Sequence, residues 1–212
     1  MKLITISIPV FNEEDNIDNL LKEINIVSSE LTKYKFEFIF TDNCSVDSTY
    51  AKLLGHSKID DRIKIIRFSR NVGFQKSILL NYQNSSGDAV IQIDADLQDS
   101  PQYIKNFINL WEDGYDVVYG IRTKRNEGRL MNAMRSAFYR ILNLISEYPI
   151  PVDAGDFRLL DRQVIDALMK HTDMSPYIRG SVAEIGFKQI GVEYQRNARI
   201  VGKSKFSMYD LI

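Results

Sequence analysis

Between Asp88 and Asp99 the chain carries four acidic residues and no basic one. Asp94-Ala95-Asp96 follows directly on an apolar run, with Gln98 and Asp99 behind it. Two carboxylates at i and i+2 on a loop can both turn toward one hard cation, and the amide oxygen of Gln98 offers a third ligand. Such a cation keeps positions open for the phosphate oxygens of a substrate. The plain alternative is that Asp96 or Asp99 caps the helix beginning near Pro101. Two basic stretches complement the acids. Arg122, Lys124, Arg125, Arg129, Arg135 and Arg140 are balanced only by Glu127, and five basic residues between 188 and 205 face one acid, Glu193. Arginine suits phosphate because its planar fork donates two hydrogen bonds at once.

These residues need a scaffold, and the first half of the chain supplies an alternating one. Residues 3–10 form an apolar, β-branched run of strand length, ended by Pro9 and a polar loop. Ile17, Leu20, Leu21, Ile24 and Leu31 then fall at mostly helical spacing. Strands are expected at 36–41, 62–68, 89–93 and 115–120. Helices are expected at 73–82 and 101–111, with Pro101 placed at a first turn, and a short helix after 45 that Asp47 or Ser48 would cap. Strands spaced by helices imply parallel pairing through right-handed crossovers, an α/β class. Ligands of such sheets bind beyond the carboxyl ends of the strands. Asn12-Glu13, Asp42-Asn43 and Asp94-Asp96 all lie at those ends and should converge on one crevice. After Gly120 the alternation stops. Residues 130–145 read as a helix bearing Met131, Met134 and Phe138, residues 162–169 as a shorter one, and 182–194 as β-like, broken at Gly186 and Gly191 into a hairpin or bulge.

Composition narrows the function. Of 212 residues, 44% are hydrophobic and 26% charged, with 27 basic against 28 acidic, a net charge of −1. That is a folded chain able to bury a core, and its charge argues against a dedicated nucleic-acid binder. The one cysteine, Cys44, cannot form an internal disulfide, and with two histidines a zinc cage is excluded. No apolar run reaches the ~20 residues that span a bilayer, and Phe11-Asn12-Glu13-Glu14 interrupts anything like a signal peptide. The expectation is a soluble protein of a reducing compartment. There is no G-x-G-x-x-G after the first strand and no G-x-x-x-x-G-K-[ST]. A haloacid-dehalogenase-type phosphatase wants Thr or Val where Gln98 stands.

Five segments occur in order: Ile8-Pro9-Val10-Phe11-Asn12-Glu13-Glu14, Thr41-Asp42-Asn43-Cys44-Ser45-Val46-Asp47-Ser48-Thr49, Ser69-Arg70-Asn71-Val72-Gly73, Asp94-Ala95-Asp96-Leu97-Gln98-Asp99 and Asp153-Ala154-Gly155-Asp156-Phe157-Arg158-Leu159. With Arg199-Ile200-Val201-Gly202-Lys203-Ser204-Lys205 they resemble family 2 glycosyltransferases of the GT-A fold. The subgroup they are most similar to is the polyprenyl-phosphate glycosyltransferases, which include dolichyl-phosphate mannose synthases. The resemblance implies a Rossmann-like, mostly parallel sheet flanked by helices. Residues 1–120 would be its nucleotide-sugar-binding half and residues 121–212 the acceptor-side half of the same domain. Any membrane segments would lie beyond residue 212. It further implies a UDP- or GDP-linked sugar donor, Mg²⁺ or Mn²⁺, a polyprenyl phosphate acceptor, and a place at the cytoplasmic face of a membrane, and leaves homo-oligomer formation open.

Carried over residue by residue, the resemblance gives Pro9, Phe11, Glu13, Asp42, Asp94, Ala95, Arg199 and Lys205 to the nucleotide sugar. Asp94, Asp96 and Gln98 go to the metal, Arg122, Arg135 and Ser136 to the acceptor phosphate, and Asp156 with Asp96 to catalysis. Pro9 and Phe11 could equally form a rigid turn with an apolar anchor, Glu13 a helix-terminal acid, and Asp156-Phe157-Arg158 a local ion pair. The stripe of Met131, Met134 and Phe138 reads either as core or as a face meeting an anionic membrane. One in-line displacement would invert the anomeric carbon, while the metal offsets charge on the departing diphosphate. A phosphate monoester, with a second pKa of about 6, is already ionised at neutral pH and hardly needs a base, whereas a glycan hydroxyl does. The acceptor thus separates the leading reading from the same donor chemistry on a hydroxyl. A non-catalytic sugar-nucleotide binding module is the third reading. Two departures stand out: many relatives have Asp-Asp-Gly-Ser where this chain has Asp42-Asn43-Cys44-Ser45, and Trp where it has Glu184.

Overall fold

The computed structural model describes residues 1–123, 154–170 and 177–197. Seven strands and six α-helices are described. The strands are β1 (Leu3–Val10), β2 (Lys35–Asp42), β3 (Ile63–Arg67), β4 (Ala89–Gln92), β5 (Val117–Arg122), β6 (Ala154–Asp161) and β7 (Gln189–Tyr194). The helices are α1 (Ile17–Glu30), α2 (Thr49–Ser57), α3 (Phe74–Asn84), α4 (Ile104–Glu112), α5 (Arg162–Leu168) and α6 (Ile178–Ile185). A 3-10 turn, Pro101–Tyr103, opens α4.

All seven strands form one sheet in the order β3-β2-β1-β4-β6-β5-β7. β3, β2, β1 and β4 are parallel, joined by helical crossovers as the alternation requires. The expected run of neighbours ends at β4. β6 inserts between β4 and β5 and runs antiparallel to both, while β5 and β7 are parallel. Strand β6 draws its own apolar pairs from Phe157, Leu159 and Leu160, all buried. The hairpin expected over 182–194 is corrected. Val182 and Ile185 belong to α6, whose buried Ile178 and Val182 are spaced i, i+4, and Gly186 ends the helix at φ +78°. Gly191 marks no break. It lies within β7, where a Cβ would come within 2.4 Å of the Ile121 side chain.

The sheet is covered on both faces. One face packs Ile4, Ile6, Ile8, Phe38 and Phe40 against Leu20, Ile24, Phe107 and Trp111 of α1 and α4. The other packs Val90, Val117 and Leu160 against Ile78 and Tyr82 of α3 and the apolar sides of α5 and α6. Under α3 the sheet is polar instead: Ser7 donates to Gln92 Oε1 (2.6 Å), Thr5 to Glu37 Oε1 (2.5 Å) and Thr41 to Asn81 Oδ1. Burial leaves these groups no water, so they pair with one another.

Pro9 sits in a strand flanked on both sides, where proline is normally excluded. In a parallel strand the N–H and C=O of one residue point toward the same neighbour. Ser7 O accepts from Ile93 N (3.0 Å), so Pro9, two residues on, also faces β4, whose ladder has already stopped at Gln92. No ladder bond is lost.

Candidate active site

The carboxyl ends of β1 and β2 are stitched together. Asn43 N donates to Val10 O (2.9 Å), Asn12 N to Ser45 Oγ (2.9 Å), Glu13 N to Thr49 Oγ1 (2.7 Å) and Val46 N to Asn12 Oδ1 (2.8 Å). Glu13 accepts from Asn16 Nδ2 (2.6 Å) just ahead of α1, and Phe11 is half-buried beside it. Asp42 is fully buried, with Oδ1 accepting from Ser45 N (3.0 Å) and Oδ2 3.0 Å from Arg67 Nε. Asp47 Oδ1, rather than the Ser48 side chain, accepts from Thr49 N (3.0 Å) at the start of α2.

Asn43 and Cys44, the two departures in this loop, have structural reasons. Asn43 Nδ2 donates to Asn71 Oδ1 (2.8 Å) while its Oδ1 accepts from Val72 N (2.9 Å), a two-way bridge that an aspartate, acceptor only, cannot make. Cys44 keeps the backbone that a glycine would favour, φ +64°. Cys44→Gly is therefore expected to hold or raise stability, and Cys44→Val to lower it by about 1–2 kcal/mol, because a β-branched residue fits the left-handed region badly. Thermal melts of the two variants check the sign.

β4 delivers the acid loop. Ile93 and Ala95 are buried anchors, and Leu97, also buried, takes φ +56°. Asp96 Oδ1 accepts from Gln98 N (3.1 Å), while Ser100, not Asp96 or Asp99, caps the 3-10 turn. The β4–β6 register pairs Ala89 with Asp161 and Gln92 with Arg158. Past the end of this ladder, Asp156 lies close enough for its charge to act on Asp94. The side chain of Arg122 at the end of β5 lies along Gly155, where a Cβ would stand 3.2 Å from Nη2. β4, β5 and β6 thus bring Asp94, Asp156 and Arg122 to one place.

Sequence reasoning missed three members of this cluster and gave Asp99 only a possible capping role. Asp99, fully buried, accepts from the Tyr194 hydroxyl (2.5 Å) and lies 3.2 Å from Arg196 Nε and 3.8 Å from Arg122 Nη2. The Tyr194 hydroxyl oxygen in turn accepts from Arg122 Nε (3.2 Å). Arg196 also reaches Asp94 Oδ2 (3.6 Å). Asp156 is held by Arg179, Nε to Oδ1 at 2.9 Å and Nη2 to Oδ2 at 2.6 Å. The local Asp156–Arg158 pair is replaced by this longer link, and Arg158 donates to Gly155 O (2.9 Å). Only the excess of basic residues after 188 hinted at Arg196; Tyr194 and Arg179 carried no pattern.

The charges are unequal in their comfort. Burial works against the ionised form of Asp156, but the Arg179 fork, with Arg158 and Arg122 behind it, outweighs burial and holds the carboxyl below the usual range. Asp94 goes the other way. Burial, then the negative charges of Asp99, Asp156 and Asp96, push it up to about 8, against a smaller pull from Arg196. Its Oδ1 is buried without a hydrogen-bond partner among the described residues. An unpartnered hard oxygen amid excess negative charge fits a divalent cation. Gln98 is tied to the segment after β7: its Nε2 donates to Asn197 O (3.4 Å), and Asn197 N donates to Gln98 O (2.9 Å). Among the described residues no three Asp, Glu, His or Cys side chains form a metal-binding group. Arg135, Ser136, Arg199 and Lys205 lie outside the described residues, as does the helix expected at 130–145.

A model of Glycosyl transferase family 2 matches residues 5–169. The chain belongs to that family. Among its relatives, the uncharacterized glycosyltransferase YkcC of Bacillus subtilis (strain 168) is 40% identical over 98% of this chain, which spans 64% of that relative's length. A bactoprenol glucosyl transferase of Shigella phage SfV is 34% identical over 98% of this chain and 68% of its own length. Among solved structures, a mannosyltransferase from Pyrobaculum calidifontis in complex with GDP-Man and Mn²⁺ matches with a TM-score of 0.64 at 16% identity, over 91% of this chain and 55% of that one. Glucosyl-3-phosphoglycerate synthase from Mycobacterium tuberculosis, with Mn²⁺, UDP and glucosyl-3-phosphoglycerate, matches at 0.59 and 19% identity, over 93% and 73%. These likenesses show the fold, GT-A. Among the described residues no helix is long and apolar enough to cross a membrane.

Proposed function

We propose that this glycosyltransferase moves a sugar from a nucleoside-diphosphate donor onto a polyprenyl phosphate, with inversion at the anomeric carbon. The observation that carries the reading is the charge cluster in which Arg196 bridges Asp94 (3.6 Å) and Asp99 (3.2 Å), while Arg122 lies 3.8 Å from Asp99 and along Gly155, next to Asp156. It sets an acid loop suited to a cation beside an arginine suited to a phosphate. The bactoprenol glucosyl transferase relative supports the lipid acceptor, and the Mn²⁺ complexes of the structural neighbours support a metal-bound donor.

Asp94, Asp96 and Gln98 would hold a divalent cation, which would supply charge neutralisation for the departing diphosphate. Pro9, Phe11, Glu13 and Asp42 line the nucleotide side, and Ala95 lies under the diphosphate. Arg122 meets the acceptor phosphate, aided by Arg135 and Ser136, while Arg199 and Lys205 close over the donor. The half of the domain after residue 121 supplies the acceptor side, which faces an anionic membrane. Asp156 orients the acceptor, whose oxygen is ionised before it attacks.

The test is direct. The purified protein is given UDP- and GDP-linked sugars with a short-chain polyprenyl phosphate, with and without Mn²⁺, and the lipid is weighed by mass spectrometry. One added hexose, dependent on the metal, is expected. Sugar transferred to a glycan hydroxyl but never to the lipid phosphate would replace this reading with the hydroxyl acceptor. A donor that raises the melting temperature without ever being consumed would point to a binding module.

A further inference from the structure

Asp156 is the residue a base-assisted transferase would use to take a proton, yet it is bound in a way that works against that task. Arg179, in the first turn of α6, contacts both carboxylate oxygens at 2.9 and 2.6 Å, so a guanidinium N–H occupies a lone pair on each and fixes the plane of the group. Arg158 and Arg122 also favour the ionised form, behind Arg179. What Arg179 alone adds is the fork. Its position is also telling: 23 residues along the chain and on a helix, not on the sheet that carries the rest of the cluster, with 30% of its side chain exposed against 12% for Asp156.

The two nucleophiles available to a bound donor differ in one proton. In transfer to a phosphate, an oxygen of the acceptor bonds to the anomeric carbon as the bond to the diphosphate oxygen breaks, and the electron pair leaves with the diphosphate. No proton has to move. In hydrolysis, the oxygen of water makes that bond and must lose a proton, which a nearby carboxylate would accept. An enzyme holding a reactive donor beside an accessible carboxylate therefore risks spilling its sugar into water.

We propose that Arg179 is a specificity-determining residue: by taking a lone pair on each oxygen of Asp156 and stabilising its charge it leaves the carboxylate able to orient the acceptor or the sugar but a poor base toward water, and so suppresses hydrolysis of the donor. This rests on the phosphate-acceptor reading given above. Arg179 acts through Asp156 and need not touch the substrate.

The experiment compares Arg179→Gln and Arg179→Lys with the wild-type protein, measuring free sugar released without acceptor and sugar transferred to a short-chain polyprenyl phosphate, both from the same donor. The ratio of hydrolysis to transfer should rise roughly tenfold or more in Arg179→Gln, a modest part of what general-base assistance supplies. Adding Asp156→Asn should remove the gain. Arg179→Lys, which keeps the charge and loses the fork, should also raise the ratio, and it carries the test if the glutamine variant does not fold. An unchanged ratio with both rates falling together would overturn the proposal and make Arg179 a stability residue. A wild-type ratio in Arg179→Lys would overturn it too, by showing that charge alone suffices. Failure of the acceptor reading is separable: it would show as wild-type protein that glycosylates a hydroxyl and never the lipid phosphate, whatever the variants do in acceptor-free hydrolysis.

Discussion

Asp94→Asn is expected to stabilise the metal-free protein while costing at least about a thousandfold in metal-dependent turnover. Both effects come from the same carboxylate. Burial and the three neighbouring aspartates raise its pKa to about 8, and Arg196, at 3.6 Å, returns only the smallest of the contributions. A carboxyl whose folded-state pKa is raised holds a proton that the unfolded chain, near pH 4, has already released. Stability therefore falls as pH rises from about 4 toward 8. The neutral, isosteric amide removes that dependence, so its advantage grows with pH and is fullest above 8. A gain of about 1–2 kcal/mol would show as roughly 2–8 °C in melting temperature for a chain of this size. Turnover moves the other way, because a metal acting as Lewis acid contributes several kcal/mol to the barrier. Melting curves in chelator from pH 6 to 9, paired with initial rates in Mn²⁺, read both. A melting temperature that drops at pH 8.5, or turnover that survives, would show that the acid loop is neither strained nor catalytic.

The acid loop was visible in the sequence because it is local. Asp94, Asp96 and Gln98 share one loop after one strand, and the apolar, β-branched runs of β1, β2 and β4 state their own period. The same holds for Pro101, which opens its helical turn where expected, and for α5. What escaped was set by contacts between distant segments. Nothing in the 154–161 run says that it slides between β4 and β5, since an antiparallel partner some 65 residues away leaves no periodic trace. That insertion is what brings the charge of Asp156 to bear on Asp94. Arg179 escaped for the same reason: Arg158, two residues from Asp156 and on the same face of β6, was the obvious partner by sequence, yet its guanidinium donates to Gly155 O while Arg179 from α6 takes both carboxylate oxygens. The stretch after 182 misled because Val182, Ile185 and Ile190 suit a strand as well as a helix, and the left-handed Gly186 decides the matter only once α6 is seen.

The largest loss of stability should follow Asp99→Ala, a residue with no obvious chemistry. Its carboxylate is the point at which β5, β7 and the acid loop are joined: Tyr194 donates to it at 2.5 Å, Arg196 lies at 3.2 Å and Arg122 at 3.8 Å, and Tyr194 also receives the Arg122 Nε. Burial and the Asp99 charge push the Tyr194 hydroxyl up, keeping it a donor. Removing the carboxylate leaves the phenol without its acceptor, takes from Arg122 its carboxylate at 3.8 Å and leaves Arg196 only Asp94, a change that costs about 3–5 kcal/mol when one partner of a buried pair is lost. At roughly 2–4 °C per kcal/mol the melting temperature should fall by about 6–20 °C. Tyr194→Phe supplies the contrast. Its ring still packs edge-on against Tyr103 and Phe157, so it loses only a hydrogen bond to a charged group, about 1.5–3 kcal/mol. If the four groups act as one unit, the double variant should lose clearly less than the two single losses added together. Additive losses would instead mean that Asp99 stabilises the acid loop alone, and that Arg122 is aimed at the acceptor by something other than this carboxylate.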